Sequence, residues 1–203
     1  MTGADHEPLH HDAVARLNGR SVVLVGLMGA GKTTVGKRLA ALLDLPFADT
    51  DQEIEEAARM SVAELFAAYG EPEFRALEAR VVARLTEGAP RVIATGGGAF
   101  MNEDTRRILK ERSITVWLKA DLDTLMERVL KRPTRPLLKT ADPRATMKSL
   151  MDVRYPVYRT ADIHIHSRNG KRDTIAREII QSLMRRPGHR PDQRKPGQKK
   201  AAS

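Results

Sequence analysis

The stretch GLMGAGKTT at residues 26–34 decides the fold of this chain, and it directly follows the apolar run SVVLV at residues 21–25. A continuous apolar run of this length is typical of a strand that is buried on both faces of a parallel sheet. Residues 32–43 follow with apolar side chains at helical spacing. Between the two lies the pattern G-x-x-x-x-G-K-[ST], whose fixed positions are Gly26, Gly31, Lys32 and Thr33.

The residue types in this loop suit a site for phosphate. Glycines let the backbone turn tightly and bring its N–H groups close to phosphate oxygens, and the start of the following helix adds partial positive charge. Lys32 would place a cation on the β- and γ-phosphates, the Thr33 hydroxyl suits Mg²⁺ as a hard oxygen ligand, and Thr34 would reach the α-phosphate. The predicted nucleotide-binding residues in the loop are Gly29, Ala30, Gly31, Lys32, Thr33 and Thr34.

The rest of the chain alternates strand-like and helix-like segments. Strands separated by helices pair in parallel through right-handed crossovers. We therefore predict a three-layer α/β domain with five parallel strands and a long helix over residues 71–87. Helix caps are predicted at Ser61 with Glu64, Asn102, Asp121 and Asp142. The four further strand segments are PFAD (46–49), RVIAT (91–95), ITVWL (114–118) and DIHIH (162–166).

Length and composition indicate one domain with two short ends. The chain has 203 residues, 41% of them hydrophobic, and it contains no cysteine, which excludes disulfides and thiolate metal sites. The first residues lack the apolar core of a secretory signal, and no run reaches the roughly 20 apolar residues of a membrane span. We expect a cytoplasmic protein with a flexible leader (1–19), a catalytic domain (20–185) and a basic, disordered tail (186–203).

The basic tail leaves two interpretations open. Residues 186–203 carry six Lys or Arg residues against one Asp, and they are rich in Pro, Gly and Gln. Such a segment has almost nothing apolar to bury. It could contact a nucleic acid or a membrane surface, or it could be only a solvated, solubilising end. We favour the solvated end and expect neither a nucleic-acid nor a membrane partner.

The phosphate loop does not identify the acceptor, because motors, switches and kinases all use it. Two other segments leave predicted strands, at the sheet edge where ligands bind in open α/β folds. DTD at residues 49–51 places two carboxylates two positions apart, one suited to a metal and one to an acceptor hydroxyl; alternatively, Asp51 caps a helix. TGGG at residues 95–98 removes side chains, so that another molecule can lie against the backbone, unless it is only a flexible turn.

Three arginines complete the candidate site. Arg75 lies in EFRALE within the long predicted helix, Arg154 lies in RYPVY, and Arg135 is bracketed by Pro133 and Pro136 in a segment that continues no helix. Each alone could be a solvated surface charge. The prolines around Arg135 suggest an ordered or closing loop.

Taken in order, these motifs resemble the shikimate kinase family. The resemblance rests on GLMGAGKTT, DTD, FR before the long helix, TGGG, RPLL and R-x-P-x-Y, and it spans about residues 20–185. It implies a nucleoside-monophosphate-kinase-like P-loop fold with strand order 2-3-1-4-5. It also implies transfer of phosphate from ATP, with Mg²⁺, to the 3-hydroxyl of shikimate, a step toward chorismate and the aromatic amino acids.

The resemblance also assigns roles to individual residues. It implies that Asp51 orients the attacking hydroxyl and that Arg135 closes onto the transferred phosphate. Lys32, Asp51 and Arg135 are thus the predicted catalytic residues, Arg135 joins the ATP-binding set, and Thr33 and Asp49 serve Mg²⁺. Lys131, Arg132 and residues 167–172 are candidates to hold adenine. The predicted contacts to shikimate are Asp51, Arg75, Gly97 and Arg154.

We expect a monomeric shikimate kinase, and two alternative functions remain open from the sequence. A kinase for another small polyol acid, such as gluconate, would share the loop and the layout, although TGGG and RPLL favour the shikimate type. A nucleotide-dependent nucleic-acid binder could use the basic tail. Only four Phe, three Tyr and one Trp occur in the chain, too few to suggest a platform on which bases stack.

Overall fold

The computed structural model describes residues 7–131, 140–168 and 172–186, with side chains from residue 11 onward. The predicted lid residue Arg135, the adenine candidates Arg132 and 169–171, and the tail from residue 187 therefore lie outside the described residues. The described strands are β1 (Ser21–Val25), β2 (Phe47–Asp49), β3 (Val92–Ala94), β4 (Ser113–Lys119) and β5 (Ile163–His166). The described helices are α1 (Glu7–Leu17), α2 (Lys32–Leu43), α3 (Thr50–Ala58), α4 (Val62–Leu85), α5 (Glu103–Arg112), α6 (Leu122–Leu130), α7 (Pro143–Tyr158) and α8 (Arg172–Arg185), with a short 3-10 helix at Ala99–Met101.

The five strands form one parallel sheet in the order β2-β3-β1-β4-β5, which confirms the predicted class and strand order. The central strand β1 is buried along its whole length, as its apolar sequence requires. Leu24 of β1 pairs with Ala94 of β3 on one side and with Val116 of β4 on the other. Because β1, β2 and β3 are parallel neighbours, the segments that leave their carboxyl ends emerge side by side.

The helices cover both faces of the sheet. The chain moves from β1 outward to β2 through α2, and then in the opposite direction through every later strand. Right-handed crossovers therefore place α2 on one face and α4, α5 and α7 on the other. Helix α8 returns to pack on α2, and α4 packs on α5. The result is the predicted three-layer arrangement.

Helix α1 corrects the prediction of a flexible leader over residues 1–19. Residues Glu7–Leu17 are helical, and α1 packs against α2 and α8. Ala13 and Leu17, which lie four positions apart on one helix face, are completely buried at 0% exposure. Arg16 Nη1 also donates a 3.0 Å hydrogen bond to the carbonyl of Arg186 at the end of α8. The leader thus adds apolar contacts to the layer formed by α2 and α8.

The predicted helix boundaries in the middle of the chain are confirmed, with one bend. Ser61 and Glu64 form the predicted capping box of α4. The helix bends at Gly70, whose φ of 76° and ψ of 176° lie in a region that is essentially restricted to glycine. The long helix predicted from residue 71 is the half of α4 that follows the bend. The predicted N-caps of α5, α6 and α7 are present at Asn102, Asp121 and Asp142.

Among the helices that the structure describes, none combines the length and the apolar character needed to cross a bilayer.

Candidate active site

The phosphate loop joins β1 to α2 in the predicted geometry. Gly31 is the N-cap of α2 and has a φ of 93°, a left-handed value that favours glycine. Gly26 has a different reason to be glycine, because a Cβ there would lie 2.8 Å from the carbonyl oxygen of Leu118. The loop therefore passes close to the end of β4 and leads into the first turn of α2, which begins at Lys32.

Lys32 and Thr33 contact the two neighbouring segments. Lys32 Nζ donates hydrogen bonds to the carbonyls of Gly26 at 2.8 Å and Leu27 at 3.0 Å, so its ammonium group lies over the loop. Thr33 Oγ1 donates a 2.8 Å hydrogen bond to Asp49 Oδ2. The predicted metal-binding pair is thus in direct contact, with a hydroxyl oxygen beside a carboxylate.

A surface pocket surrounds the loop. Its volume is about 280 Å³, and Thr34 and Lys131 line it together with the loop residues. The predicted ATP-binding residue Ala30 is fully buried and is not among the lining residues, and its carbonyl accepts a hydrogen bond from Ser167. Lys131, an adenine candidate, lies at the rim and pairs with Glu127 at 2.7 Å. The described residues that line it are Gly29, Gly31, Lys32, Thr33, Thr34, Arg128, Val129 and Lys131.

Arg128 and Ser167 hold the loop through its backbone carbonyls. This role was not predicted from the sequence. Ser167 Oγ donates to the carbonyl of Ala30 at 2.7 Å. Arg128 Nη1 donates to Ser167 Oγ at 2.8 Å and to the carbonyl of Gly29 at 3.1 Å. A trans peptide directs its carbonyl and the following N–H to opposite sides. Fixing the Ala30 carbonyl therefore directs the N–H of Gly31 away from Ser167.

The three residues of DTD have three different targets. Asp49 Oδ1 accepts from the backbone N–H of Asp51 at 3.1 Å, so Asp49 and not Asp51 caps α3. Thr50 Oγ1 accepts from the N–H of Gly96 at 2.9 Å. Asp51 lines a second pocket. The alternative in which Asp51 is the helix cap is therefore wrong, and its side chain lies in the pocket instead.

This second pocket brings together every predicted acceptor residue. It has a volume of about 160 Å³ and lies between α4, α7 and the glycine run. Phe66 and Phe74 form an apolar wall, with ring centroids 4.4 Å apart across the bend of α4. Its lining is Met28, Asp51, Val62, Phe66, Phe74, Arg75, Glu78, Gly96, Gly97, Gly98 and Arg154.

Close packing explains the three glycines of TGGG. A Cβ at Gly96 would lie 2.6 Å from Asp51 Oδ1, and a Cβ at Gly98 would overlap the guanidinium of Arg75. A Cβ at Gly97 would lie 3.3 Å from Arg154 Nη1. The glycines are therefore needed because the functional side chains of the protein itself lie against this backbone. The alternative of a merely flexible turn does not describe this packing.

Glu78 is the buried charge that the sequence analysis missed. Its side chain is 1% exposed, and Glu78 Oε2 accepts from Arg75 Nη1 at 2.8 Å. Burial raises the pKa of Glu78, although Arg75 opposes the shift. Burial also acts against the charge of Arg75, but Glu78 and Glu71 outweigh it and hold the Arg75 pKa above its usual value. The two carboxylates thus keep the Arg75 guanidinium charged and oriented at the pocket.

Arg154 reaches the pocket from α7. Arg154 Nη1 donates to the carbonyl of Gly97 at 2.9 Å, and Tyr158 Oη donates to the same oxygen. Arg75 thus packs against Gly98 and Arg154 against Gly97, in the pocket that Asp51 also lines. Two guanidinium groups around a small pocket suit an anionic ligand such as a carboxylate.

Comparisons with known proteins agree with this geometry. A family model described as shikimate kinase matches residues 28–184. A shikimate kinase of Mesorhizobium japonicum is 54% identical over 175 residues, 86% of each chain. The chain belongs to the shikimate kinase family. A second shikimate kinase, from Bartonella henselae, is 53% identical over 86% of this chain and 83% of its own.

Solved structures extend the family comparison to the fold. The shikimate kinase from Acinetobacter baumannii in complex with shikimate superimposes with a TM-score of 0.80 at 36% identity, over 85% of this chain and 97% of its own. A gluconokinase from Sinorhizobium meliloti has a TM-score of 0.56 at 17% identity, over 82% of this chain and 93% of its own. That similarity shows a shared fold only. Shikimate kinase membership makes the chain a P-loop kinase and disfavours the gluconate alternative.

Proposed function

We propose that the chain transfers the γ-phosphoryl group of ATP to the 3-hydroxyl of shikimate, in the route to chorismate and the aromatic amino acids. The observation that carries the proposal is the contact between the two pockets. A Cβ at Gly97 would lie 3.7 Å from both the carbonyl oxygen of Gly26 and the backbone nitrogen of Met28. The phosphate loop and the acceptor pocket thus share a wall, as direct transfer between two bound molecules requires.

The acceptor pocket supplies groups for each part of a small hydroxy acid. Asp51 would accept a hydrogen bond from the attacking hydroxyl and orient it. Arg75 and Arg154 would bind the carboxylate, which a planar guanidinium can contact through two parallel hydrogen bonds. The backbone of Gly97 would lie against the ring. Phe66 and Phe74 offer an apolar surface for its carbon face.

The donor pocket suits ATP with magnesium. The Thr33 hydroxyl and the Asp49 carboxylate are adjacent hard oxygen donors, and Mg²⁺ commonly binds through one or two such protein groups plus phosphate oxygens. Magnesium would neutralise charge on the phosphates. Lys32 would exchange its loop carbonyls for phosphate oxygens, and the N–H groups at the start of α2 would bind the β-phosphate.

Catalysis would depend on alignment and charge more than on covalent chemistry, as is usual in phosphoryl transfer. Lys32 and the helix start supply positive charge from the donor side. Arg135, which lies outside the described residues, is proposed to supply a further cation on the transferred group. Asp51 would hold the nucleophilic oxygen toward the γ-phosphorus.

We also propose a monomeric cytoplasmic enzyme without a nucleic-acid partner, in which residues 20–185 form the catalytic domain. Burial of four of the eight Phe, Tyr and Trp rings supports the absence of a nucleic-acid partner. Phe74, Phe100, Trp117 and Tyr158 are each at most 4% exposed, so these rings pack in the interior. Buried rings cannot stack on bases.

The test is ADP release by the purified chain with MgATP and each of shikimate, quinate, gluconate, single-stranded DNA and buffer alone. The proposal expects ADP release with shikimate, together with one equivalent of 3-phosphoshikimate. Equal or faster turnover with gluconate would overturn the acceptor assignment. ATP hydrolysis that responds to single-stranded DNA but not to shikimate would support the nucleic-acid alternative.

A further inference from the structure

We propose that Thr50 and Tyr158 are positioning residues that together hold the glycine run Gly96–Gly98 in the acceptor pocket. Neither side chain is among the described residues that line that pocket. Each makes a hydrogen bond to the run from outside it. The inference rests on the proposed function, because it assigns the run to acceptor binding.

Thr50 fixes the beginning of the run. It is 0% exposed, and its hydroxyl accepts the 2.9 Å hydrogen bond from the N–H of Gly96. The preceding residue, Thr95, bonds to the carbonyl of Leu24 through both its backbone nitrogen, at 3.2 Å, and its hydroxyl, at 3.0 Å. The backbone thus leaves β3 between two anchors, one on β1 and one at the start of α3.

Tyr158 fixes the middle of the run. Its hydroxyl donates to the carbonyl of Gly97, and its side chain is buried at 1% exposure. Burial raises the pKa of Tyr158 to about 12, so the hydroxyl keeps its proton and remains a donor around neutral pH. Arg154 donates to the second lone pair of the same carbonyl at 2.9 Å.

Hydrogen bonds to the carbonyls of the run determine where its N–H groups point. The Gly96 carbonyl accepts from Ala99 N at 3.3 Å, so the peptide groups on both sides of Gly97 have partners. A planar trans peptide directs each N–H opposite to its carbonyl. The N–H groups of Gly97 and Gly98 are therefore oriented before any ligand arrives. Three consecutive glycines would otherwise lose more conformational entropy on ordering than other residues, and preorganisation lowers that cost of binding.

Helix α7 offers a matched control for Tyr158. Tyr155 also donates to a backbone carbonyl, that of Ala120, its pKa is also raised to about 12 by burial, and its ring packs on the same Trp117. Tyr158→Phe and Tyr155→Phe therefore remove the same kind of bond from the same helix. Only the first removes an anchor of the glycine run.

The kinetic experiment compares these two variants of the full chain. We expect Tyr158→Phe to raise the shikimate KM about tenfold, the effect of one lost hydrogen bond of about 1.4 kcal/mol. The ATP KM should stay within about twofold. Tyr155→Phe should leave both constants near the wild-type values. Equal effects of the two variants on the shikimate KM would overturn the proposal.

Threonine variants test the second anchor. Thr50→Val removes the acceptor oxygen at constant shape and should raise the shikimate KM. Thr50→Ser keeps a hydroxyl, so its shikimate KM should stay close to the wild-type value. Thr105→Val is the control, because its hydroxyl is completely buried but has no described hydrogen-bond partner. A Thr50→Ser variant as impaired as Thr50→Val, or a Thr105→Val variant with the same rise in KM, would contradict the role of the hydroxyl.

A readout that needs no substrate separates this inference from the proposed function. Amide hydrogen exchange of the ligand-free protein should accelerate at Gly96 in Thr50→Val, and not in Thr105→Val. If the wild type phosphorylates shikimate but exchange at Gly96 is unchanged in Thr50→Val, the anchor proposal fails alone. If exchange accelerates and the wild type does not phosphorylate shikimate, the anchors stand and the proposed function fails.

Discussion

The hydroxyl of Thr33 lies 2.8 Å from the carboxylate of Asp49, and this contact joins the phosphate loop to the segment that carries Asp51. Asp49 bonds to the threonine through one oxygen and caps α3 through the other. Asp51, two positions later, lies in the acceptor pocket. One helix start thus presents one carboxylate to Thr33 of the phosphate loop and one to the second pocket.

Substitution of Asp49 and substitution of Asp51 should therefore change different kinetic properties. Asp49→Asn keeps the helix cap, because asparagine caps as well as aspartate, but it removes a negative charge beside Thr33. The Mg²⁺ concentration for half-maximal activity should rise about 10–100-fold, and saturating Mg²⁺ should restore part of the rate. Steady-state kinetics with Mg²⁺ titrated at fixed ATP measures this effect.

Asp51→Asn should show the complementary pattern. It replaces an acceptor oxygen in the pocket with a donor, so kcat should fall by about 10²–10⁴, the usual contribution of a positioned base. The shikimate KM should rise, while the Mg²⁺ dependence should change little. Rescue of this variant by Mg²⁺, with no rescue of Asp49→Asn, would mean that the two roles are reversed.

Glu78 should make stability depend on pH in an unusual direction for a carboxylate. Because burial raises its folded pKa, the folded state binds the proton more tightly than the unfolded state does. Its contribution is fully favourable below the unfolded pKa of about 4.5 and is lost as the pH rises through the raised folded value. The non-titrating variant Glu78→Gln should therefore gain stability relative to the wild type as the pH increases.

Urea unfolding of both proteins at pH 4.5, 6 and 7.5 measures this difference. A difference in the free energy of unfolding between the two proteins that is constant with pH would contradict the prediction. So would a difference that increasingly favours the wild type as the pH rises. Because Glu78 also orients Arg75, we expect the variant to have a raised shikimate KM at every pH.

Ser167 should affect the nucleotide and not the acceptor. Ser167→Ala removes the hydroxyl that bonds to the Ala30 carbonyl and to Arg128. The ATP KM should rise about tenfold, because a hydrogen bond to a charged group contributes about 1.5–3 kcal/mol. Ser182→Ala is the control, since the described hydrogen bond of that hydroxyl lies within α8, to the carbonyl of Glu178. Similar ATP constants for the two variants would rule out a role for Ser167 in holding the loop.

Helix α1 should contribute to stability although none of its described residues lines either pocket. Leu17→Ala removes a fully buried side chain, so the free energy of unfolding should fall by about 2–5 kcal/mol. Leu130→Ala is the matched control, because Leu130 is 67% exposed. Chemical denaturation measures both. A loss below about 0.5 kcal/mol in Leu17→Ala would show that α1 adds little to the folded domain.

The elements that the sequence predicted are those with strong local signals. The apolar run of β1, the glycine pattern after it and the capping box at Ser61 each specify local structure by themselves. Resemblance then supplied the strand order and grouped Asp51, Arg75, Gly97 and Arg154, which the structure places around one pocket. The roles of those residues remain predictions.

Features that depend on tertiary contacts were not predictable in the same way. Glu78 lies in a helix rich in charged residues, and only the packing of α4 against the glycine run buries it. Ser167 simply follows a short strand, and its partners lie 39 and 137 positions away along the chain. The burial of helix α1 depends on the surface that α2 and α8 offer, which its own sequence does not reveal.

The bend at Gly70 determines the direction in which the first half of α4 extends. Phe66 lies four residues before the bend, or about 6 Å along the helix axis, and its ring contacts Phe74 on the other side. A rotation of about 10° at Gly70 would therefore displace Phe66 by about 1 Å, a shift large enough to matter for catalytic alignment. The backbone angles of this one residue thus determine where the aromatic wall of the pocket stands.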